Sequence, residues 1–215
     1  MSWSSGRGLT AVFVVLALFS FVSGALGSGK DGVGRIVYLT IDGKKYEIFV
    51  GKESSIAFGG KEHSVGIAFA PFCVFDNGDL SFSFPATMNC VRESPTPGLE
   101  TWVLSGGDAA MTIQKYSVKM DGGVLLNGLK QQYVKMKASV DVKKVRFEGK
   151  NAKLEGTGLY IKLGNSRLSQ DLYMVKKGNL LLVIILQDSL SDAGKHSKEY
   201  SDMLIKLKES LTIKK

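Results

Sequence analysis

A run of seven apolar residues, Leu180 to Leu186 (LLLVIIL), constrains the fold of this chain more than any other segment. In a strand, alternate residues point to opposite faces, and here the odd and the even positions are both apolar. A strand formed by this run therefore has no polar face to offer to water. Such a strand belongs in the middle of a sheet that is covered on both sides. Lys176, Lys177 and Asp188 flank the run, and we interpret them as charged gatekeepers against aggregation. The run is far too short to cross a membrane.

Two segments have the periodicity of amphipathic helices. Residues 124–138 carry their apolar side chains on one helical face, and residues 195–210 follow the i, i+3, i+4, i+7 pattern from Tyr200 onward. Both helices would bury an apolar stripe against a neighbouring layer.

Most of the remaining chain has the composition of strands. Residues 36–50 predict a hairpin around Asp42-Gly43, because Asp-Gly supplies the positive φ that a tight hairpin turn requires. Residues 51–66 are rich in Gly, Ser and Lys and predict a loop with one short strand. Residues 76–79 predict a plain turn, since the spacing and the distal Glu of a calcium loop are absent. Further strands are predicted at 65–75, 80–84, 100–104, 109–116, 142–147, 152–154, 158–163, 171–175 and 211–213.

Residues 1–27 have the pattern of a secretory signal peptide. Arg7 gives a weakly basic start, residues 9–26 are free of charge and mostly apolar, and small residues suit cleavage after Ala25 or Gly27. The alternative is an uncleaved anchor, because the apolar stretch is about long enough to span a bilayer. We predict a secreted or periplasmic protein with a β-rich extension over residues 28–78 and a main domain over residues 79–215.

A phosphate-binding skeleton occurs at Gly24–Lys30, which reads G-x-x-x-x-G-K. Asp31 follows it, where a P-loop needs the hydroxyl of Ser or Thr for magnesium. No strand is predicted before the segment, and the cleavage site falls within it. We therefore predict no nucleotide site and no other cofactor.

The chain is poor in residues that carry familiar chemistry. It has two histidines, His63 and His196, and neither falls in a metal-ligand spacing. No G-x-S-x-G nucleophile elbow is present. The sequence thus predicts solvated histidines, no metal site and no catalytic residue. The competing hypothesis is a secreted hydrolase whose site lies between the N-terminal extension and the sheet, where one histidine meets a carboxylate.

Cys73 and Cys90 are the two cysteines of the chain. In an exported protein they are candidates for a disulfide, which would stabilise a loop of this length by about 3 kcal/mol. The alternative is two free, buried thiols that flank the predicted strand 80–84. The choice depends on geometry, because the two Cα atoms must lie within about 7 Å.

Charge is the one global property with functional content. The formal net charge is +8, and the basic excess lies in residues 111–215, which carry twenty basic and ten acidic side chains. Residues 28–110 carry seven basic and ten acidic side chains. A positive field attracts anionic surfaces, and the alternative is a solvated lysine surface that aids solubility. The densest group, our candidate anion-binding patch, comprises Lys143, Lys144, Arg146, Lys150 and Lys153.

Three segments resemble the PsbP-like superfamily, whose members have the PsbP and Mog-type fold. They are FSFP at Phe82–Pro85, DLYMVKKGNLLLVII at Asp171–Ile185 and YSDMLIKLKESLTI at Tyr200–Ile213. The resemblance covers residues 79–215. It implies an α+β fold in which helices cover an antiparallel β-sheet as an α/β/α sandwich, here with an N-terminal β-hairpin extension. The family has no shared catalytic residues, so the resemblance implies binding or assembly.

These observations together predict an exported, non-catalytic binding or accessory protein. Its partner would be a protein complex or an anionic envelope component, met through the basic C-terminal part. Nucleic acid is not expected, because the chain is predicted to be exported and lacks a basic motif interleaved with aromatics. A membrane would be contacted only through an uncleaved anchor or through surface electrostatics.

Overall fold

The computed structural model describes residues 36–49, 52–68, 70–118 and 120–214. The predicted signal peptide and the P-loop skeleton lie outside these residues. In chain order the elements are β1 (Ile36–Ile41), β2 (Lys44–Phe49), β3 (Glu53–Phe58), β4 (Lys61–Gly66), β5 (Phe72–Asp76), β6 (Leu80–Pro85), β7 (Asn89–Thr96), β8 (Leu99–Ser105), β9 (Ala109–Tyr116), α1 (Gly122–Lys135), β10 (Ser139–Glu148), β11 (Lys153–Leu163), β12 (Ser166–Lys177), β13 (Leu180–Leu190), α2 (Lys198–Ser210) and β14 (Thr212–Ile213).

A seven-stranded antiparallel sheet forms the centre of the molecule, in the order β10-β11-β12-β13-β9-β8-β7. The apolar run of the sequence is β13, the fourth strand in that order. Leu182 and Val183 point to opposite faces of the sheet, and both are 0% exposed. The prediction that this run is a central strand buried on both sides is therefore confirmed.

The two faces of this large sheet are covered differently. On one face, Leu125, Leu129 and Tyr133 of α1 pack against the sheet. On the other face, α2 shares the cover with a three-stranded sheet in the order β14-β6-β5. That small sheet contributes aromatic side chains, including Phe75 and Phe82, to the core.

The predicted α/β/α sandwich is wrong. Strands make up 59% and helices 16% of the structure, which is mostly β. The two helices alone do not cover the large sheet, because β5 and β6 pack a second sheet against one of its faces. Residues 72–76, which the sequence assigns to the extension, form β5 and pair with β6 of the main domain.

Two hairpins precede the small sheet. The predicted hairpin at Asp42-Gly43 is confirmed, with positive φ at both turn residues (47° and 77°) as a type I′ turn requires. Residues 53–66 form a second hairpin where only one short strand is predicted. Gly59 and Gly60 make its turn, also with positive φ. The Gly-rich composition marks this turn rather than a loop.

Both predicted helices are present, and each has a side chain that caps its first turn. The Asp121 carboxylate accepts a hydrogen bond from the Gly123 amide at the start of α1. The Ser197 hydroxyl accepts one from the Tyr200 amide at the start of α2. In the described part of the chain, no helix combines the length and apolar character that a membrane crossing needs.

The predicted turn at residues 76–79 is confirmed and anchors β6. Asn77 accepts hydrogen bonds from the Asp79 and Leu80 amides. The Asp79 carboxylate, whose side chain is 16% exposed, lies 2.6 Å from Lys115 Nζ and 3.5 Å from Lys177 Nζ. It therefore ties the start of β6 to β9 and β12 of the large sheet.

Replacing Asp79 with Asn is expected to lower the free energy of unfolding by about 1 kcal/mol at neutral pH. The hydrogen bond from Lys115 holds the pKa of Asp79 below its usual range. A carboxyl with a lowered folded-state pKa stabilises the fold above its unfolded-state pKa, and this contribution is lost as the pH falls through the folded-state pKa. Urea unfolding from about pH 7 to pH 2 should show the difference between variant and wild type vanish in acid. A difference in free energy of unfolding that stays constant with pH would contradict this role of Asp79. The control is Asp192→Asn, which makes the same change at an exposed position.

Candidate functional site

A cleft of about 650 Å³ lies where the start of α1 meets β10, β11 and β12. Its apolar wall is formed by Leu126, Leu172 and Met174, and its charged side chains are Lys144, Arg146 and Glu155. This volume is within the range of clefts that hold small molecules.

Gly122 at the start of α1 allows the helix to approach β12. A Cβ atom on Gly122 would lie 2.3 Å from Met174 Sδ, so any other residue would displace the methionine. Glycine costs roughly 0.5–1 kcal/mol relative to alanine inside a helix. The close approach at Gly122 accounts for the residue there, and it leaves the backbone of the first turn facing the cleft.

The charged side of the cleft is set by the alternation of β10. Lys144 and Arg146 are two residues apart in the strand, so their side chains point to the same face, toward α1. Arg146 lies 3.2 Å from Glu155 and 3.6 Å from Glu148, but these side chains are all more than 60% exposed. Exposed ion pairs of this kind are weak. Within the described residues Lys144 has no ion pair.

The start of α1 adds to this electrostatic environment. The unsatisfied amides of a helix N-terminus carry a partial positive charge. The Asp121 carboxylate offsets part of it, because it accepts a hydrogen bond of 2.7 Å from the Gly123 amide. The two side-chain cations, rather than the helix end, therefore dominate the charge of the cleft.

The structure brings together two of the five residues of the predicted anion-binding patch, Lys144 and Arg146. Lys143 lies on the opposite face of β10, 3.2 Å from Asp141 and with its ammonium 4.8 Å from the ring centre of Tyr160. Lys150 is in the turn between β10 and β11. Lys153 begins β11 opposite Glu148.

The two histidines have different surroundings. His63 lies in the exposed strand β4, with its ring 6.0 Å from that of Phe58. His196 lies just before α2, and its Nδ1 is 2.8 Å from a carboxylate oxygen of Asp188. A carboxylate only accepts hydrogen bonds, so we assign the hydrogen to Nδ1.

Asp188 is the centre of a buried polar network. It is 0% exposed, and besides His196 it accepts hydrogen bonds from the Ser197 amide (3.0 Å) and the Ser197 hydroxyl (2.7 Å). Asp188, which we interpret from the sequence as a charged gatekeeper, is instead buried, and its carboxylate binds the start of α2 to the end of β13.

The network continues to a second acid through Tyr200. The Tyr200 ring stacks on His196 with centres 4.6 Å apart, and its hydroxyl donates to Asp171 over 3.3 Å. Burial raises the pKa of Asp171, while the Tyr200 hydrogen bond opposes that rise. Asp171 Oδ1 and the hydroxyl of Ser169 have no hydrogen-bond partner within the described residues.

This arrangement is that of a helix cap. A serine hydrolase needs a serine hydroxyl beside the histidine that deprotonates it. Here the Ser197 hydroxyl instead donates to Asp188 and accepts from the Tyr200 amide. The contact between His196 and a carboxylate lies at the start of α2, rather than between the N-terminal extension and the sheet.

Cys73 and Cys90 are free, exposed thiols in this structure, which therefore has neither the candidate disulfide nor the alternative of two buried thiols. Cys73 lies in β5 of the small sheet, whereas Cys90 lies in β7 at the edge of the large sheet. Among the described residues, no group of three or more His, Cys, Asp and Glu side chains is placed to hold a metal ion.

No family model matches the chain, and no curated protein sequence matches it. The resemblance to the PsbP-like superfamily stays a sequence-based prediction.

Proposed function

We propose that the protein is a non-catalytic binding protein that holds an anionic ligand in the cleft between α1 and β10–β12. The observation that carries this proposal is the placement of Lys144 and Arg146 on one side of a cleft of about 650 Å³. In this proposal the protein acts after export, as residues 1–27 predict. Its ligand is an anionic envelope component or an anionic group of a protein partner.

Both cations of the cleft can bind a ligand anion without first breaking a strong ion pair. Lys144 is available for a ligand, because none of the described acids pairs with it. Arg146 is held only by exposed carboxylates, so a ligand anion can replace Glu155 at modest cost. A guanidinium also presents several donors in a fixed fork, which suits the two oxygens of a carboxylate or phosphate.

Replacing Lys144 with Gln is expected to weaken anion binding about tenfold, since a hydrogen bond to a charged group contributes roughly 1.5 kcal/mol. The matched control is Lys143→Gln, which removes the same charge from the other face of the same strand and should change affinity less than twofold. Glu155→Gln removes the competing carboxylate and should tighten binding. Amide chemical shifts followed by NMR during titration with inorganic phosphate, acetate and decanoate measure all three.

The proposal fails if none of these anions shifts the amides at the start of α1 and in β10–β12. It also fails if Lys143→Gln weakens binding as much as Lys144→Gln, because binding would then follow total charge. Raising the salt concentration to about 0.5 M should weaken phosphate binding, since screening shortens the range of the attraction to a few ångströms.

A further inference from the structure

We infer that the ligand of this cleft is an amphiphilic monoanion with a carboxylate head and a single hydrocarbon chain. The inference rests on the proposed function and specifies the ligand class. It starts from the separation of polar and apolar groups in the cleft. The cations Lys144 and Arg146 lie on β10, whereas Leu126, Leu172 and Met174 come from α1 and β12.

The apolar wall is continuous with the hydrophobic core. Leu172 is 1% exposed, and it packs in the same core cluster as the half-buried Leu126 and Met174. Leu172 thus has almost no surface to offer, and a hydrocarbon chain laid in the cleft would remove from water its own surface and that of Leu126 and Met174. Methionine has three rotatable bonds and a polarizable sulfur, so Met174 can adapt its shape to such a chain.

The charges of the cleft favour one negative group over several. Two cations face the ligand, but Glu155 lies 3.2 Å from Arg146, and the Asp121 carboxylate caps the helix start. A polyanion would bring further negative charge toward these acids. A single carboxylate engages Lys144 and Arg146 without that repulsion.

Three probes, each kept below its micellar concentration, separate the contribution of the carboxylate head from that of the hydrocarbon chain. Acetate has the carboxylate without a long chain, and decylammonium has the chain with a positive head group. Decanoate has both the carboxylate and the chain. Isothermal titration should show decanoate binding at least a hundredfold more tightly than either, because each buried methylene adds about a fourfold gain in affinity. Hexanoate and octanoate should fall in between.

Two outcomes are distinguishable. If acetate and phosphate bind in the cleft as tightly as decanoate, the amphiphile inference is overturned and the proposed anion site stands. If no anion binds, the proposed anion site and the amphiphile inference are both overturned. Binding of decylammonium as tight as that of decanoate overturns the anionic head and leaves only an apolar cleft.

A pair of alanine variants tests the apolar wall in the folded protein. Gly122→Ala places a Cβ atom against Met174 Sδ, so the methionine must move, and decanoate affinity should fall about tenfold or more. Gly128→Ala is the control in the same helix, outside the cleft, where the new Cβ atom meets no atom within 4 Å, and it should change affinity less than threefold. Equal affinities in the two folded variants would overturn the assigned wall.

Discussion

Replacing Asp188 with Ala is expected to lower the free energy of unfolding by about 3–5 kcal/mol. The carboxylate is completely buried and accepts three hydrogen bonds, from His196 Nδ1, the Ser197 amide and the Ser197 hydroxyl. Its removal takes the acceptor from the half-buried Ser197 amide and hydroxyl and from the His196 ring, which is 40% exposed, and each group left unsatisfied costs free energy. Urea unfolding followed by far-UV circular dichroism measures the loss.

Two further variants show whether the loss comes from this network. Asp192→Ala removes an acid from the exposed loop that precedes α2 and should change stability by less than about 0.5 kcal/mol. Asp188→Asn keeps the shape of the side chain but turns one acceptor atom into a donor. Its loss of free energy of unfolding should therefore lie between those of Asp188→Ala and Asp192→Ala. If Asp188→Ala and Asp192→Ala are equally stable, the network does not anchor α2.

Replacing Gly156 with Ala should cost about 3 kcal/mol, the upper end of the range for an overpacked core. Gly156 lies in β11 opposite Tyr173 of β12. A Cβ atom there would lie 2.3 Å from the backbone oxygen of Leu172 and 2.7 Å from the Tyr173 ring. The carbonyl belongs to the strand ladder, so the clash is relieved only if β11 and β12 separate. Thermal and urea unfolding of the variant measure the cost.

The matched control is Gly128→Ala in α1, where the new methyl group meets no atom within 4 Å. Alanine is better than glycine in a helix, so this variant should gain about 0.5–1 kcal/mol. The same chemical change is therefore expected to have opposite signs at the two positions. A gain or no change at Gly156 would show that the sheet tolerates a side chain there.

The parts of the fold that follow from local patterns could be predicted from the sequence. The two-sided apolar run became the central strand β13, Asp42-Gly43 became a type I′ turn, and the 3.6-residue periodicity located both helices. Each of these signals depends on a few consecutive residues and on a single physical requirement.

The layer arrangement could not be predicted in this way. Whether β5 and β6 pair at the edge of the large sheet or stack on its face depends on contacts between distant residues, such as Phe75 with Trp102. The strand β7 was also missed, because Pro95 and Pro97 indicate a loop at its end. Pro95 lies inside β7 and Pro97 follows its end, and a strand that contains a proline fits at a sheet edge, which is where β7 lies.

The candidate site was predicted in part. The dense basic group contains Lys144 and Arg146, but only strand alternation separates them from Lys143. The burial of Asp188 could have been predicted from strand alternation. Asp188 lies an even number of residues from Leu182 and Leu186 in β13, so its side chain points to the same core. The role of Gly122 depends on Met174, which is 52 positions away, so no local pattern reveals it.

The small sheet also has a consequence for how the chain folds. Thr212 pairs with Ser81, the Ser210 hydroxyl accepts a hydrogen bond from the Ser83 amide, and Lys214 lies 2.8 Å from Asp76. Pairings over more than 120 residues form slowly, because a long loop must close before any contact is gained. During synthesis the edge of β6 that pairs with β14 stays unpaired until residues 212–213 have emerged, and an unpaired strand edge is open to pairing with other chains.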